Sequence, residues 1–185
     1  MNIIHFDELN STNKYAKENF HLLNNFDVII TDRQTSGYGQ WGRKWIDTGC
    51  DNIYLSVILK PDDLSKHTDI VRFMAICICE IFLKYSVLPH IKEPNDILIK
   101  NKKIAGILAE SITKGDKLMG IVIGVGINLN TDKIYLEKIN QPATSLNLEI
   151  GKFTEKKEFI NYLLSEFEDK YPLFLKNEVN LNLFL

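Results

Sequence analysis

Cysteine is scarce in this sequence, and its three copies lack the paired spacing that binds zinc. Cys77 and Cys79 lie in the apolar segment VRFMAICICEIFLKYS, which has the composition of a buried helix. The four histidines are scattered along the chain, so neither residue type forms a recognisable metal motif. All three cysteines, Cys50 included, are therefore predicted to be packing residues.

Long apolar runs and an excess of charge are also missing. No uninterrupted run approaches the ~20 residues of a membrane-spanning helix, and the opening MNIIHFDELNSTNK lacks the basic end and cleavage site of a secretory signal. The net charge of -2 gives no electrostatic reason to expect nucleic-acid binding. We therefore expect a cytoplasmic protein with no DNA partner and no membrane partner.

The 185 residues fit one compact domain. Strands are predicted at residues 2–7, 26–32, 53–59, 95–99, 103–112 and 117–130, the last three as an antiparallel meander. Helices are predicted after the Ser11-Thr12-Asn13 cap, over 64–86 after a strand end at Pro61 with Asp62 and Asp63, and over 154–170 from a Thr154 cap. The last helix would bury Phe159, Tyr162, Leu163, Phe167 and Tyr171. Because the strands occur in runs, the pattern indicates an α+β fold.

A polar loop between the second and third strands is rich in glycine. Gly37, Gly39 and Gly42 have the spacing G-x-G-x-x-G, but no helix follows them, which disfavours a dinucleotide-binding fold. Such a loop can approach a ligand closely, and it ends with Arg43, which can contact phosphate, and Trp45, which can stack on a base. A solvated surface loop is the open alternative.

A second cluster combines lysines with a Pro-Asn-Asp turn. Lys92, Asn95 and Asp96 lie in KEPND, where Asp96 can pair with a lysine or hold a metal-bound phosphate. Lys103 precedes the apolar strand IAGILAES, and its ammonium at the mouth of the sheet can meet an anionic ligand. The alternative for Lys103 is a solvent-facing strand end.

Glycines also alternate within the strand GIVIGVGINLN. Gly124 and Gly126 suggest that one face of the sheet is kept bare for something flat, because glycine weakens a strand unless close approach is needed. Asn128 then offers both a donor and an acceptor at the strand end. The alternative is a bulge followed by a turn.

Taken in this order, STN, RQTSGYGQWGRKW, KEPNDILIKNKKIAGILAE and GIVIGVGINLN resemble the catalytic domain of biotin protein ligases, over about residues 3–130. The resemblance implies a mainly antiparallel mixed sheet backed by helices, as in class II aminoacyl-tRNA synthetases. It implies that biotin and Mg-ATP form biotinyl-5'-AMP and pyrophosphate. A lysine of a biotin carboxyl carrier domain of a carboxylase then attacks this adenylate. Biotin, ATP, Mg²⁺ and the carrier domain are thus the expected substrates, cofactors and partner.

The resemblance also assigns roles to single residues. Lys103 corresponds to the lysine that meets the biotin carboxylate and the α-phosphate. Lys92 and Asp96 would serve phosphate and magnesium, and Arg43 matches a phosphate-loop arginine. By the same resemblance, the biotin head group would be bound by Ser11, Thr12 and Gln34. Room for the ligand would be left by Gly37, Gly106, Gly124 and Gly126. The adenylate would be contacted by Asn95, Trp45 and Asn128.

The chain departs from the family pattern at three positions. Tyr38 and Gln40 stand where the family loop has arginines, and the lost guanidinium groups are expected to loosen retention of biotinyl-AMP. Glu93 stands where tryptophan is usual, and we expect it to be a partner for a nearby lysine.

The same resemblance predicts which domains this chain contains. Residues 1–175 are expected to form the catalytic domain without an N-terminal DNA-binding domain, so repressor activity is not expected. The tail, residues 176–185, is too short for the C-terminal barrel of many members. Three roles stay open for it: covering apolar sheet surface, supporting a homodimer, or none.

Two other functions stay open at this level. A lipoate or octanoate ligase or transferase of the same fold would also use a lysine and a carrier acceptor, although the loop ending in Arg43 and the Pro-Asn-Asp element favour biotin. A small-ligand binding protein that has lost turnover through Tyr38, Gln40 and Glu93 is the non-enzymatic alternative. The presence of Lys92, Lys103 and Asn128 argues against it.

Overall fold

The structure is a computed structural model that describes residues 1–49, 51–60 and 66–185. Three predictions involve other residues: the packing role of Cys50, the strand end at Pro61 with Asp62 and Asp63, and the first residues of the helix expected from 64. These lie outside the described residues.

A mixed sheet of seven strands organises the chain. The strands are β1 (Asn2–Leu9), β2 (Asp27–Gln34), β3 (Ile53–Leu59), β4 (His90–Lys92), β5 (Asp96–Ile99), β6 (Lys102–Lys114) and β7 (Lys117–Ile127). Their order is β1-β2-β3-β7-β6-β5-β4, with β1 and β2 parallel and every other neighbouring pair antiparallel. The predicted α+β class and the meander are confirmed, whereas the short strand β4 was not predicted.

Five helices accompany the described strands. They are α1 (Thr12–Glu18), α2 (Ile70–Lys84), α3 (Lys133–Leu136), α4 (Leu146–Ile150) and α5 (Lys156–Leu175). Ser11 caps α1 as predicted, because its Oγ accepts a hydrogen bond of 3.4 Å from the Lys14 amide. The short helices α3 and α4 were not predicted.

The start of α5 corrects a prediction. The residue at its N-cap is Glu155, and within the described part of the chain the buried Thr154 hydroxyl has no hydrogen-bond partner. The reason is that Asn130 holds the Thr154 backbone: its Nδ2 donates to the Thr154 carbonyl at 2.8 Å, and its Oδ1 accepts from the Thr154 amide at 3.0 Å. The predicted Thr154 cap is therefore wrong.

The sheet separates two apolar layers. On one face, α2 and α5 form the larger core, in which the rings of Phe73 and Phe174 stack with centroids 4.5 Å apart. On the other face, α1 packs on a smaller cluster around Ile29, Ile58 and Val122. The central strand β3 is buried along its whole length because both of its faces are covered.

Most residues predicted for the α2–α5 layer lie there. Cys77 and Cys79 are fully buried, and burial raises the pKa of both thiols. Of the five aromatic and leucine positions expected to face the core from α5, Tyr162 is the exception, with 42% of its surface exposed. No helix in the described ranges is long and apolar enough to cross a membrane.

The tail, residues 176–185, covers apolar surface beside β4. Val179, Leu181 and Phe184 pack against the larger core, and the Ile91 amide donates a hydrogen bond of 2.6 Å to the Phe184 carbonyl. Of the three roles left open for the tail, covering the sheet is the one with direct structural support.

Phe184→Ala is expected to lower the free energy of unfolding by about 1–3 kcal/mol, less than the ~3–5 kcal/mol of a fully buried phenylalanine, because Phe184 is half-buried. Urea denaturation measures the change. Leu183→Ala is the matched control, since Leu183 is exposed and should shift the value by no more than about 0.5 kcal/mol. Equal effects of the two substitutions would contradict a packing role for the tail.

Candidate active site

Most of the predicted site residues converge on one cavity of about 110 Å³ on the α1 face of the sheet. The loop between β2 and β3 covers it, and residues of α1, β5, β6 and β7 form its walls. Its lining includes these predicted residues: Ser11, Thr12, Gln34, Arg43, Trp45, Asn95, Asp96, Lys103, Gly106, Gly124 and Gly126. Lys103 and Arg43, which were predicted to share a site, thus face a common space.

Lys103 is the charged centre of the cavity. Its Nζ lies 2.6 Å from Asp96 Oδ1 and 5.4 Å from the centroid of the Trp45 ring, and its side chain is only 16% exposed. The backbone of Lys103 is fixed on both sides, because its amide donates to the Pro142 carbonyl and its carbonyl accepts from the Thr144 amide, both at 2.9 Å. The backbone that carries this side chain is therefore fixed, and its ammonium group lies at a partly desolvated position.

The glycines of β6 and β7 leave room for side chains of the protein itself. A Cβ atom at Gly126 would lie 2.6 Å from the Trp45 indole, and one at Gly106 would lie 2.9 Å from it. A Cβ atom at Gly124 would lie 2.2 Å from Asn13 Oδ1. The bare face thus accepts a flat group, as the alternating glycines suggest, but that group is the Trp45 indole. Direct contact of these glycines with a ligand stays a prediction.

The volume of the cavity follows from this packing. Small-molecule sites commonly measure ~300–1,000 Å³, and this cavity measures about 110 Å³. Because the Trp45 indole lies on the bare face, a larger ligand requires that side chain to move.

The glycine-rich loop forms a tight hairpin over residues 37–45. The Trp45 amide donates to the Gly37 carbonyl at 2.9 Å, and the Gly39 amide donates to the Arg43 carbonyl at 2.7 Å. Trp41 and Gly42 turn the hairpin at φ angles of 59° and 70°. The Arg43 side chain is exposed and makes no ion pair with any other residue that the structure describes. The hairpin therefore brings to the edge of the cavity a guanidinium that has no ion-pair partner in the described part of the chain.

Residues predicted for the biotin head group lie together at one end of the cavity. The Thr12 amide donates to Gln34 Oε1 at 2.9 Å, and Ser11 caps the same helix. These groups are polar and uncharged, so this end of the cavity suits a neutral polar ligand group.

Behind that end, Glu110 binds three neighbours. Its carboxylate accepts hydrogen bonds from Lys17 Nζ at 2.6 Å, the Tyr38 hydroxyl at 2.8 Å and Asn13 Nδ2 at 2.9 Å. Burial alone would raise the pKa of Glu110, but these hydrogen bonds hold it below its ordinary value of 4.5. Burial and the bond to Glu110 raise the pKa of Tyr38, so the phenol stays neutral.

Three predicted site residues do not line this cavity. Lys92 is exposed on β4, Gly37 packs against Gln34 and the Trp45 carbonyl, and Asn128 donates from Nδ2 to the Thr144 carbonyl at 3.0 Å. Their predicted contacts with the ligand stay predictions.

One predicted partner is wrong. The carboxylate of Glu93 contacts Arg72 of α2, where we expected a lysine, because α2 passes beside the turn that precedes β5.

Several polar residues that line the cavity were not predicted as site residues, among them Asn13, Tyr38, Lys44 and Gln141. Asn13 was interpreted as part of a helix cap, and Tyr38 as the loss of an arginine. For these two residues, the signal available in the sequence was that each follows directly after a residue predicted to bind the ligand. Gln141 lies in the segment after α3, where the sequence shows no motif.

The fold and the cavity define a protein of the biotin and lipoate ligase class. Residues 5–128 match the Biotin/lipoate A/B protein ligase family, and the chain belongs to this family.

Individual relatives agree with this assignment. The chain is 33% identical over 176 residues to the bifunctional ligase/repressor BirA of Bacillus subtilis, covering 91% of this chain and 53% of that protein. It is 28% identical over 163 residues to the biotin--[acetyl-CoA-carboxylase] ligase of Paracoccus denitrificans, covering 85% of this chain and 68% of that one. The chain thus spans about half the length of the first of these relatives.

A solved structure shows the same fold. The biotin protein ligase of Aquifex aeolicus, in complex with biotin and ATP, superposes with a TM-score of 0.82 at 28% identity. The match covers 94% of this chain and 71% of that one. The predicted likeness to biotin ligases is confirmed at the level of both family and fold.

Glu110→Gln is expected to lower the free energy of unfolding near pH 7. Because the folded-state pKa of Glu110 lies below 4.5, the stabilisation is complete above that pH and disappears as the pH falls below it. Urea denaturation of both proteins at neutral pH and at about pH 3 measures the difference. Glu137→Gln, compared with wild type in the same way, is the control, because Glu137 forms an exposed ion pair. A difference that persists unchanged at about pH 3 would contradict the charge network.

Proposed function

We propose that this chain is the catalytic part of an ATP-dependent biotin protein ligase. It would join biotin to AMP and then transfer biotin to a lysine of a biotin carboxyl carrier domain. The observation that carries the proposal is the partly buried Lys103 ammonium in a cavity shared with Arg43, against the bare face of β6 and β7. The similar ligase of Paracoccus denitrificans and the similar structure from Aquifex aeolicus are both named for biotin, which supports biotin over lipoate.

In the first step, a biotin carboxylate oxygen attacks the α-phosphorus of ATP, and the bond to pyrophosphate breaks. Negative charge gathers on the phosphoryl oxygens in the transition state, so a fixed cation at short distance lowers the barrier. Lys103 supplies that cation. In this role its ammonium exchanges the contact with Asp96 for contacts with the substrate oxygens. Arg43, without an ion-pair partner among the described residues, serves the departing phosphates.

In the second step, the amine of the carrier lysine attacks the carbonyl carbon of biotinyl-AMP. AMP leaves with the bonding electron pair, and the amine loses its proton. Lys103 again stabilises the oxygen that gains charge, because the same carbonyl oxygen comes from the biotin carboxylate. The Ser11, Thr12 and Gln34 end of the cavity holds the head group through both steps.

Asp96 fits a supporting role for Mg²⁺. It is the only carboxylate among the described residues that line the cavity. Magnesium is commonly held by one or two carboxylates together with substrate phosphates and water, so a single aspartate suits it. When bound, the metal would neutralise phosphate charge, and Asp96 would hold it beside Lys103.

The partner, the oligomeric state and the location of the protein complete the proposal. The carrier domain partner follows from the proposed reaction. A homodimer and a cytoplasmic location remain predictions from the sequence.

The deciding experiment is mass spectrometry of a biotin carrier domain after incubation with this chain, biotin and Mg-ATP. A mass increase of one biotin supports the ligase, whereas an unmodified carrier with no pyrophosphate release would favour a non-catalytic binding protein. Lipoate in place of biotin is the parallel arm, and modification with lipoate alone would move the assignment to the lipoate branch of the family.

Lys103→Ala should reduce the rate of biotin transfer by about 10²–10³-fold, because one fixed charge donor to a transition state is removed. Rates of carrier biotinylation measure the effect. Lys102→Ala is the matched control, since Lys102 precedes it on β6 with an exposed side chain outside the cavity. Equal rates for Lys103→Ala and Lys102→Ala would contradict the proposed role.

Gln40→Arg should slow the dissociation of biotinyl-AMP by about tenfold, because a guanidinium makes charge-assisted hydrogen bonds to phosphate. Gln40 lines the cavity, whereas the neighbouring Trp41 is 90% exposed at the tip of the hairpin. Trp41→Arg therefore adds the same charge outside the cavity and serves as the control. Comparable dissociation rates for wild type and Gln40→Arg would count against the loosened retention.

A further inference from the structure

Glu110 lies where three separate elements meet. It is on β6, and it binds Asn13 and Lys17 of α1 and Tyr38 of the hairpin at residues 37–45. Of these four residues, Asn13 and Tyr38 line the cavity, whereas Glu110 and Lys17 do not. One carboxylate behind the cavity thus joins two parts of its wall.

Asn13 is fully occupied by this arrangement. Its Nδ2 donates to Glu110 and to the Leu108 carbonyl at 3.1 Å, and its Oδ1 accepts from the Ser56 hydroxyl at 2.6 Å. The amide lies directly over Gly124, where a Cβ atom would collide with it. Asn13 is therefore fixed in one orientation, which Glu110 helps to determine.

Tyr38 is held in a similar way at the base of the hairpin. Its hydroxyl donates to Glu110 and lies near Ser11, the N-cap residue of α1. Tyr38 also pairs through its backbone with Lys44, so the position of the phenol is coupled to the strand that leads to Trp45. Loss of the hydroxyl bond would remove one tie between the hairpin and β6.

We propose that Glu110 is a positioning residue for biotin: by holding Tyr38 and Asn13 together, it forms the head-group end of the cavity before the ligand binds. This inference rests on the proposed function. It gives Tyr38 a role in place of the arginine of the family pattern. The Trp45 side chain then moves when the ligand enters, whereas Tyr38 stays in place at the base of the hairpin.

The first measurement needs no ligand. Trypsin cuts after Arg43 and Lys44, which are exposed in the hairpin. Tyr38→Phe and Glu110→Ala should each speed this cleavage by about three- to tenfold, because the Tyr38 hydrogen bond that ties the hairpin to β6 is lost. Tyr162→Phe, the same change at a half-exposed site on α5, should leave the cleavage rate unaltered.

The second measurement is binding and turnover with biotin. Tyr38→Phe and Glu110→Ala should raise the Kd and the KM for biotin by a similar factor and leave kcat at saturating biotin nearly unchanged. Glu110→Gln, which keeps an acceptor oxygen for Tyr38, should recover most of the affinity. If Glu110→Ala does not fold, Tyr38→Phe and Glu110→Gln carry the test, because neither empties the site.

The outcomes separate this inference from the proposed function. Unchanged cleavage and unchanged biotin affinity in Tyr38→Phe would overturn the positioning role while leaving the ligase intact. Faster cleavage with unchanged affinity would also overturn it, since the network would then only stabilise the hairpin. If the wild-type chain neither binds biotin nor releases pyrophosphate, the proposed function fails and this inference falls with it.

Discussion

The alternation of side chains along β6 and β7 is the constraint on which the site depends. One face of these strands carries Ile107, Ile123 and Val125 into the larger core, and the other carries glycines. Because successive residues point to opposite faces, the same strands support the helices and leave a bare floor for the cavity. A shift of register by one residue would bury the glycines and expose the isoleucines.

On this floor, charge and shape come from elements that are distant in the sequence. Lys103 enters from β6, Asp96 from β5 and the Trp45 indole from the hairpin, and all three meet within hydrogen-bonding or ring-contact distance. The hydrogen-bonded backbone of Lys103, together with the contact of its side chain with Asp96, places the ammonium in the cavity before any substrate arrives. Preorganised charge of this kind is the main source of catalysis in reactions that build up negative charge on oxygen.

The sequence predicted every described strand except β4, the three longer helices and much of the cavity lining, since periodicity and short motifs are local signals. It did not predict which side chain fills the bare face, because the approach of Trp45 to Gly126 depends on the path of the hairpin. The Thr154 cap failed for a similar reason: Asn130 is distant in the sequence and captures its backbone. The Glu110 network also joins three elements, so the linear pattern showed only an acidic residue at the end of an apolar run.

A crystal structure of this chain with biotin and ATP, or with biotinyl-AMP, tests the central claim most directly. The account predicts that the Lys103 ammonium lies within hydrogen-bond distance of the biotin carboxylate or the α-phosphate, with the Trp45 indole moved from its place over Gly126. A ligand bound elsewhere, with Lys103 still in contact with Asp96 alone, would contradict it.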